Sequence, residues 1–149
     1  MKHLFAILAL AALLSGCATS RPSEAERLAL YRGHAGEPVK YFDYFGQING
    51  WTPLGDRALT VWTRPNRAYL LELSGPCMDL DFAPAISISN QMGRVAARFD
   101  NVIVHGGGGS SMRFPCRIQE IRPLDVKALK AAQSELRRAD AVDRKASGS

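Results

Sequence analysis

The chain has 149 residues, 46% hydrophobic and 22% charged, with 19 Lys plus Arg against 14 Asp plus Glu for a formal charge of +5. That length is one domain's worth, and the mixed composition is that of a soluble globular domain, which excludes a disordered chain or a multi-span membrane protein. The basicity is mild and no nucleic-acid recognition motif accompanies it, so nucleic acid is not an expected partner.

The N-terminus carries the strongest signal. Lys2 supplies a positive charge, Leu4 to Leu14 form an apolar run rich in Leu and Ala, and small residues precede Cys17. This order is that of a signal peptide, and the run is too short to span a bilayer comfortably. The ending Leu14-Ser15-Gly16-Cys17 resembles the lipobox of bacterial lipoproteins. The resemblance implies diacylglyceryl attachment at Cys17, cleavage before it, and acylation of the new amine. Residues 1–16 are then a lipoprotein signal peptide and residues 17–22 a lipidated tether. Asp after the lipidated cysteine would signal retention at an inner membrane. Ala18 stands there instead, so the expected location is the outer membrane, periplasmic side.

Removing residues 1–16 takes away Lys2, and the remaining 18 basic and 14 acidic side chains leave a formal charge of +4. That balance suits anionic lipid or an acidic surface without demanding either. With Cys17 assigned to lipid, Cys77 and Cys116 remain as a pair in an oxidising compartment, and a disulfide is expected.

Ser23 and Glu26 form a capping box, so a short helix is expected from Glu24 to Arg32, ended by Gly33, with Leu28 and Tyr31 docking on the core. From Val39 onward, turn signals recur every eight to twelve residues, and strands are predicted near 39–49, 51–54, 58–63, 68–74, 84–89, 94–104 and 112–121. Gly55-Asp56 and Pro65-Asn66 mark turns, and Asp100-Asn101 marks a bend within a long strand. Pro123 stops the last strand, Asp125 caps, and a basic helix is expected over 126–144, packed by one narrow face, with a frayed tail at 146–149. The expected fold is mainly β: a small curled antiparallel sheet or barrel of about six to seven strands, flanked by the two helices, in one domain over 23–145.

Chemistry is sparse. The run His105-Gly106-Gly107-Gly108-Gly109-Ser110-Ser111 superficially matches an esterase oxyanion loop, but no GxSxG elbow exists, and no Lys makes it a phosphate loop. A hairpin connection is the expectation. His34 and His105 are expected in loops or at the surface, and the pair Asp79 and Asp81 in turn capping rather than on a cation. No catalytic residues, metal or cofactor are therefore predicted. The candidate binding surface is aromatic: Tyr41, Phe42, Tyr44, Trp51 and Trp62. Strand alternation separates Tyr41 and Phe45 from Phe42 and Tyr44, so one set belongs to the core and the other is exposed.

The segments Gly50-Trp51-Thr52-Pro53-Leu54-Gly55-Asp56, Val61-Trp62-Thr63, Ala68-Tyr69-Leu70-Leu71, Gly75-Pro76-Cys77 and Cys116-Arg117-Ile118 lead on to Ile121-Arg122-Pro123-Leu124-Asp125. Together they resemble an uncharacterised family of short proteobacterial lipoproteins, a domain of unknown function. That resemblance implies a lipid anchor, the cysteine pair and one domain, and brings no activity. The function expected is a non-enzymatic binding or structural module of the envelope, acting on an envelope protein or anionic lipid. An inhibitor of a cell-wall hydrolase and a small periplasmic hydrolase are the alternatives. The hydrolase requires His34 or His105 within hydrogen-bond reach of a Ser or acid in a pocket.

Overall fold

A computed structural model describes residues 22–106 and 113–147. The expected signal peptide, Cys17, most of the tether and the glycine run from Gly107 lie outside them. The chain forms α1 (Glu24–Gly33), β1 (Tyr41–Asp43), β2 (Gly50–Pro53), β3 (Ala58–Arg64), β4 (Arg67–Leu73), β5 (Ala85–Ile88), β6 (Arg94–Ala96), β7 (Asn101–His105), β8 (Arg113–Pro123) and α2 (Val126–Ser147). Six strands make a curled antiparallel half-barrel in the order β2-β3-β4-β8-β7-β5, and β1 and β6 pair separately. The mainly β expectation holds, with two sheets in place of one.

Both expected helix starts are built as the sequence implies. The Ser23 hydroxyl accepts from the Glu26 N–H, and the Glu26 carboxylate accepts from the Ser23 N–H at 2.7 Å. The Ser23 N–H first, and then the Ser23 hydroxyl at 2.9 Å, donate to the Glu26 carboxylate and hold it below its ordinary range. At α2, Asp125 accepts from the Ala128 N–H at 2.9 Å, and Leu124 and Leu129 are both buried across the cap.

Alternation along β3 and β4 divides the interior. Leu59, Val61, Leu71 and Leu73 point into the half-barrel with Val102, Val104, Ile118 and Ile121. Ala58, Ala68 and Leu70 point the other way, onto Tyr31 of α1 and Val126 and Leu129 of α2. The central strands are thus covered on both faces, which explains their nearly continuous apolar sequence.

β8 is the hinge of the architecture. Its first half, Arg113–Arg117, pairs with β7, and from Ile118 onward it pairs with β4. Glu72 opposes Glu120 and Leu73 opposes Ile118, so Gln119 is an extra residue, a bulge. Ile118 and Ile121 are both fully buried although three apart, because the bulge inverts the strand's phase. Here the sheet turns its corner.

Two predicted strands break. The 39–49 segment keeps only Tyr41–Asp43 as strand, because β1 has the three-residue β6 as its ladder and Gly46, at φ 84°, turns the chain away. The 94–104 segment divides into β6 and β7, in different sheets. Arg98 takes a left-handed φ of 69°, and the Asp100 carboxylate accepts from the Ala96 N–H at 2.8 Å and from the Ser89 hydroxyl at 2.7 Å. The Asp100 carbonyl also receives the Ile118 N–H at 3.0 Å. Asp100 therefore ties β6, β5 and β8 together from a buried position. Asp100→Ala leaves the Ala96 N–H and the Ser89 hydroxyl without their acceptor, and is expected to cost about 2–3 kcal/mol in urea unfolding. A change below about 0.5 kcal/mol would reject this role.

Candidate binding groove

The corner at Gln119 leaves a groove between β8, the β1–β6 pair and the turn after β6. Its volume is ≈ 480 Å³, within the range of small-ligand sites. Val39, Ala96 and Ala97 form an apolar floor, and Tyr41 and Phe99 stand at its sides. The floor is held by backbone bonds, Ala97 N–H to the Lys40 carbonyl at 2.9 Å and Val39 N–H to the Ile121 carbonyl at 2.8 Å. Phe99, 70% exposed, is carried outward on a tight turn closed by the Phe99 and Asp100 N–H groups on the Ala96 carbonyl.

Charged residues of both signs border the groove, and Arg94 beside it pairs with Asp43 at 3.8 Å. Lys40 and Arg98 border the groove, and the Arg94 guanidinium lies 4.7 Å from the centre of the Tyr41 ring. Arg117 donates to the Arg98 carbonyl at 2.8 Å. Glu120 is the acidic member, 3.8 Å from Arg122. Such a site grips an apolar or aromatic group on its floor and a negative group at its edge.

The five aromatic residues singled out in the sequence do not form one surface. Tyr41 lies in the groove. Phe42 is 3% exposed and stacks on Tyr69 at 4.5 Å, and Tyr44 is 7% exposed in the same core, so both are corrected from binding surface to core. The period-two alternation decides this, since Tyr41 and Phe45 take the outward positions. Trp51 packs half-buried against the half-barrel core, and Trp62 against the helix side, with Lys130 Nζ 5.7 Å from its ring.

Sequence reasoning does not find Phe99, Arg98 and Arg94, because a strand over 94–104 starts at Arg94 and runs straight through the turn that carries the other two. Arg98-Phe99-Asp100 keeps the polar–apolar–polar order of a strand, and the available signal is the change of apolar phase at Asp100-Asn101, from Val95 and Phe99 to Val102 and Val104.

The other candidate groups are dispersed. Cys77 and Cys116 form the expected disulfide, with Cα atoms 5.6 Å apart. Asp79 sits at a left-handed φ of 60°, and its side chain makes no capping hydrogen bond, contrary to expectation. His34 serves through its carbonyl, which receives the Asp125 N–H. His105 Nε2 lies 2.9 Å from the Ser87 hydroxyl, diagonally across the β5–β7 ladder. Among the described residues no carboxylate hydrogen-bonds this imidazole, and neither residue borders the groove.

Searches of curated proteins and of solved structures found no match to the chain. A family model does match, over residues 1–140, and the chain belongs to that family, described as a family of unknown function (DUF6491).

Proposed function

We propose that this chain is a proteobacterial envelope lipoprotein, anchored through Cys17 to the periplasmic side of the outer membrane, whose folded domain is a non-enzymatic binding module. The lipobox-like Leu14-Ser15-Gly16-Cys17 supports the anchor, and the Cys77–Cys116 bridge suits an oxidising compartment. One observation carries the binding role: an apolar groove flanked by Tyr41 and Phe99 and bordered by Lys40 and Arg98, with Arg94 against the Tyr41 ring. Exposed aromatics cost solvation unless something covers them, and two of them here share one concave site. The ligand that fits is an envelope component offering an apolar or aromatic group beside an anionic one.

A photo-crosslinking amino acid placed at Phe99 in intact cells is expected to capture one reproducible envelope partner, whereas one placed at Phe45 is not. Tyr41→Ala together with Phe99→Ala should weaken binding of that partner by roughly 30-fold, the effect of losing an interface hot spot. Equal capture from both positions, or unchanged affinity in the double variant, would remove the groove from the proposal.

A further inference from the structure

We infer that Met78 and Phe82 form a membrane-contact patch that lies against the bilayer beside the lipid anchor, an inference that rests on the anchor proposed at Cys17. Both side chains are strongly exposed, Met78 at 66% and Phe82 at 89%. They flank Leu80, which is fully buried, in a loop whose first residue, Cys77, is buried and bridged to β8. The loop is thus fastened at Cys77 and Leu80 while the apolar side chains on either side point outward. Both border the same surface cleft of ≈ 330 Å³, with Asp56 and Pro76. A fastened loop presents apolar side chains to an apolar phase without a further ordering cost.

The place where the chain enters the domain identifies the occupant. Six residue steps separate Cys17 from the helix cap Ser23, a contour of at most about 20 Å. The first turns of α1 sit on the turn before β3: Glu24 Oε2 lies 3.3 Å from where a Cβ on Gly55 would stand, and Arg27 donates to the Pro53 carbonyl at 2.7 Å. The next residue of that turn, Asp56, accepts the Cys77 N–H at 2.7 Å. The start of α1, the turn and the Met78–Phe82 loop are therefore contiguous. A short tether to lipid holds that surface against the bilayer, where Phe and Met partition into the boundary between head groups and acyl chains. Asp79 and Asp81, between the two apolar residues, suit a zwitterionic surface better than an anionic one.

The test uses the full lipidated protein reconstituted in phosphatidylcholine vesicles with brominated acyl chains, which quench tryptophan at membrane depth. Phe82→Trp and, separately, Met78→Trp are expected to add emission that is blue-shifted and largely lost in the brominated vesicles, above the background of Trp51 and Trp62. Phe45→Trp is the control. Phe45 shares a cleft with Thr63 and Arg64, at the far end of β3 from Ala58, and its added emission should survive. Partial replacement by phosphatidylglycerol should reduce the quenching at Phe82→Trp. If the protein floats with the vesicles but neither variant is quenched, the patch is overturned and the anchor stands. If the protein fails to float, the anchor is refuted and the patch with it.

Discussion

Replacing both Cys77 and Cys116 by serine is expected to remove about 4 kcal/mol of stability, the closure entropy of a loop set by their separation of 39 residues. That is a large share of the roughly 5–15 kcal/mol that holds a typical domain together. The urea midpoint should fall by about 2 M and the thermal midpoint by about 15 °C, read from the fluorescence of Trp51 and Trp62. The bridge joins the loop after β4 to β8 beside the Gln119 corner, so its loss frees the segment that carries Met78 and Phe82 from the first half of β8. Reductant added to the unaltered protein should reproduce the shift. A loss below about 1 kcal/mol would mean that the packing around Leu80 and Ile118 already confines the loop in the unfolded ensemble.

Cys17→Ala is expected to transfer the protein completely from the membrane pellet to the soluble fraction. A single acyl chain binds a bilayer with an affinity of only about 10⁴ M⁻¹, whereas further chains, at about 0.8 kcal/mol per buried CH₂, make escape negligible. The remaining Met78–Phe82 contact is far too small to hold the chain after its acyl groups are gone. The unfolding midpoint of the domain should stay unchanged, because the buried core begins with Tyr31 of α1 and the disulfide pair is untouched. A variant that still pellets after washing with high salt and alkaline carbonate would refute lipid anchoring.

Local rules read from the sequence carried most of the fold. Ser23 with Glu26, Asp125 with Leu124 and Leu129, and Pro65-Asn66 between two apolar runs each describe a contact within a few residues, and each was found. What local pattern does not contain is long-range pairing. The stretch from Arg94 to Val104 alternates acceptably as one strand, and only the bond from Asp100 to Ser89 and the pairing of Asn101 with Arg117 show why it divides. The groove inherits that blindness. Tyr41 was legible because an aromatic run must put alternate members outside, but Phe99 reaches the same site through a left-handed Arg98 and a bulge at Gln119. Neither has a distinctive residue type, since glycine or asparagine would have announced such backbone and arginine does not.

The partner exchange along β8 has a consequence for the order of assembly. The β2–β3–β4 meander can form from neighbouring segments, but Tyr69 must wait for Pro123 and Leu73 for Ile118 before its edge is closed. The β5–β7 pair waits for the same strand from the other side. Among the described residues, the last strand in chain order is therefore the one that both halves need. A chain emerging from its N-terminus leaves both halves open until β8 arrives, and then folds with the high contact order and slow closure of β topologies.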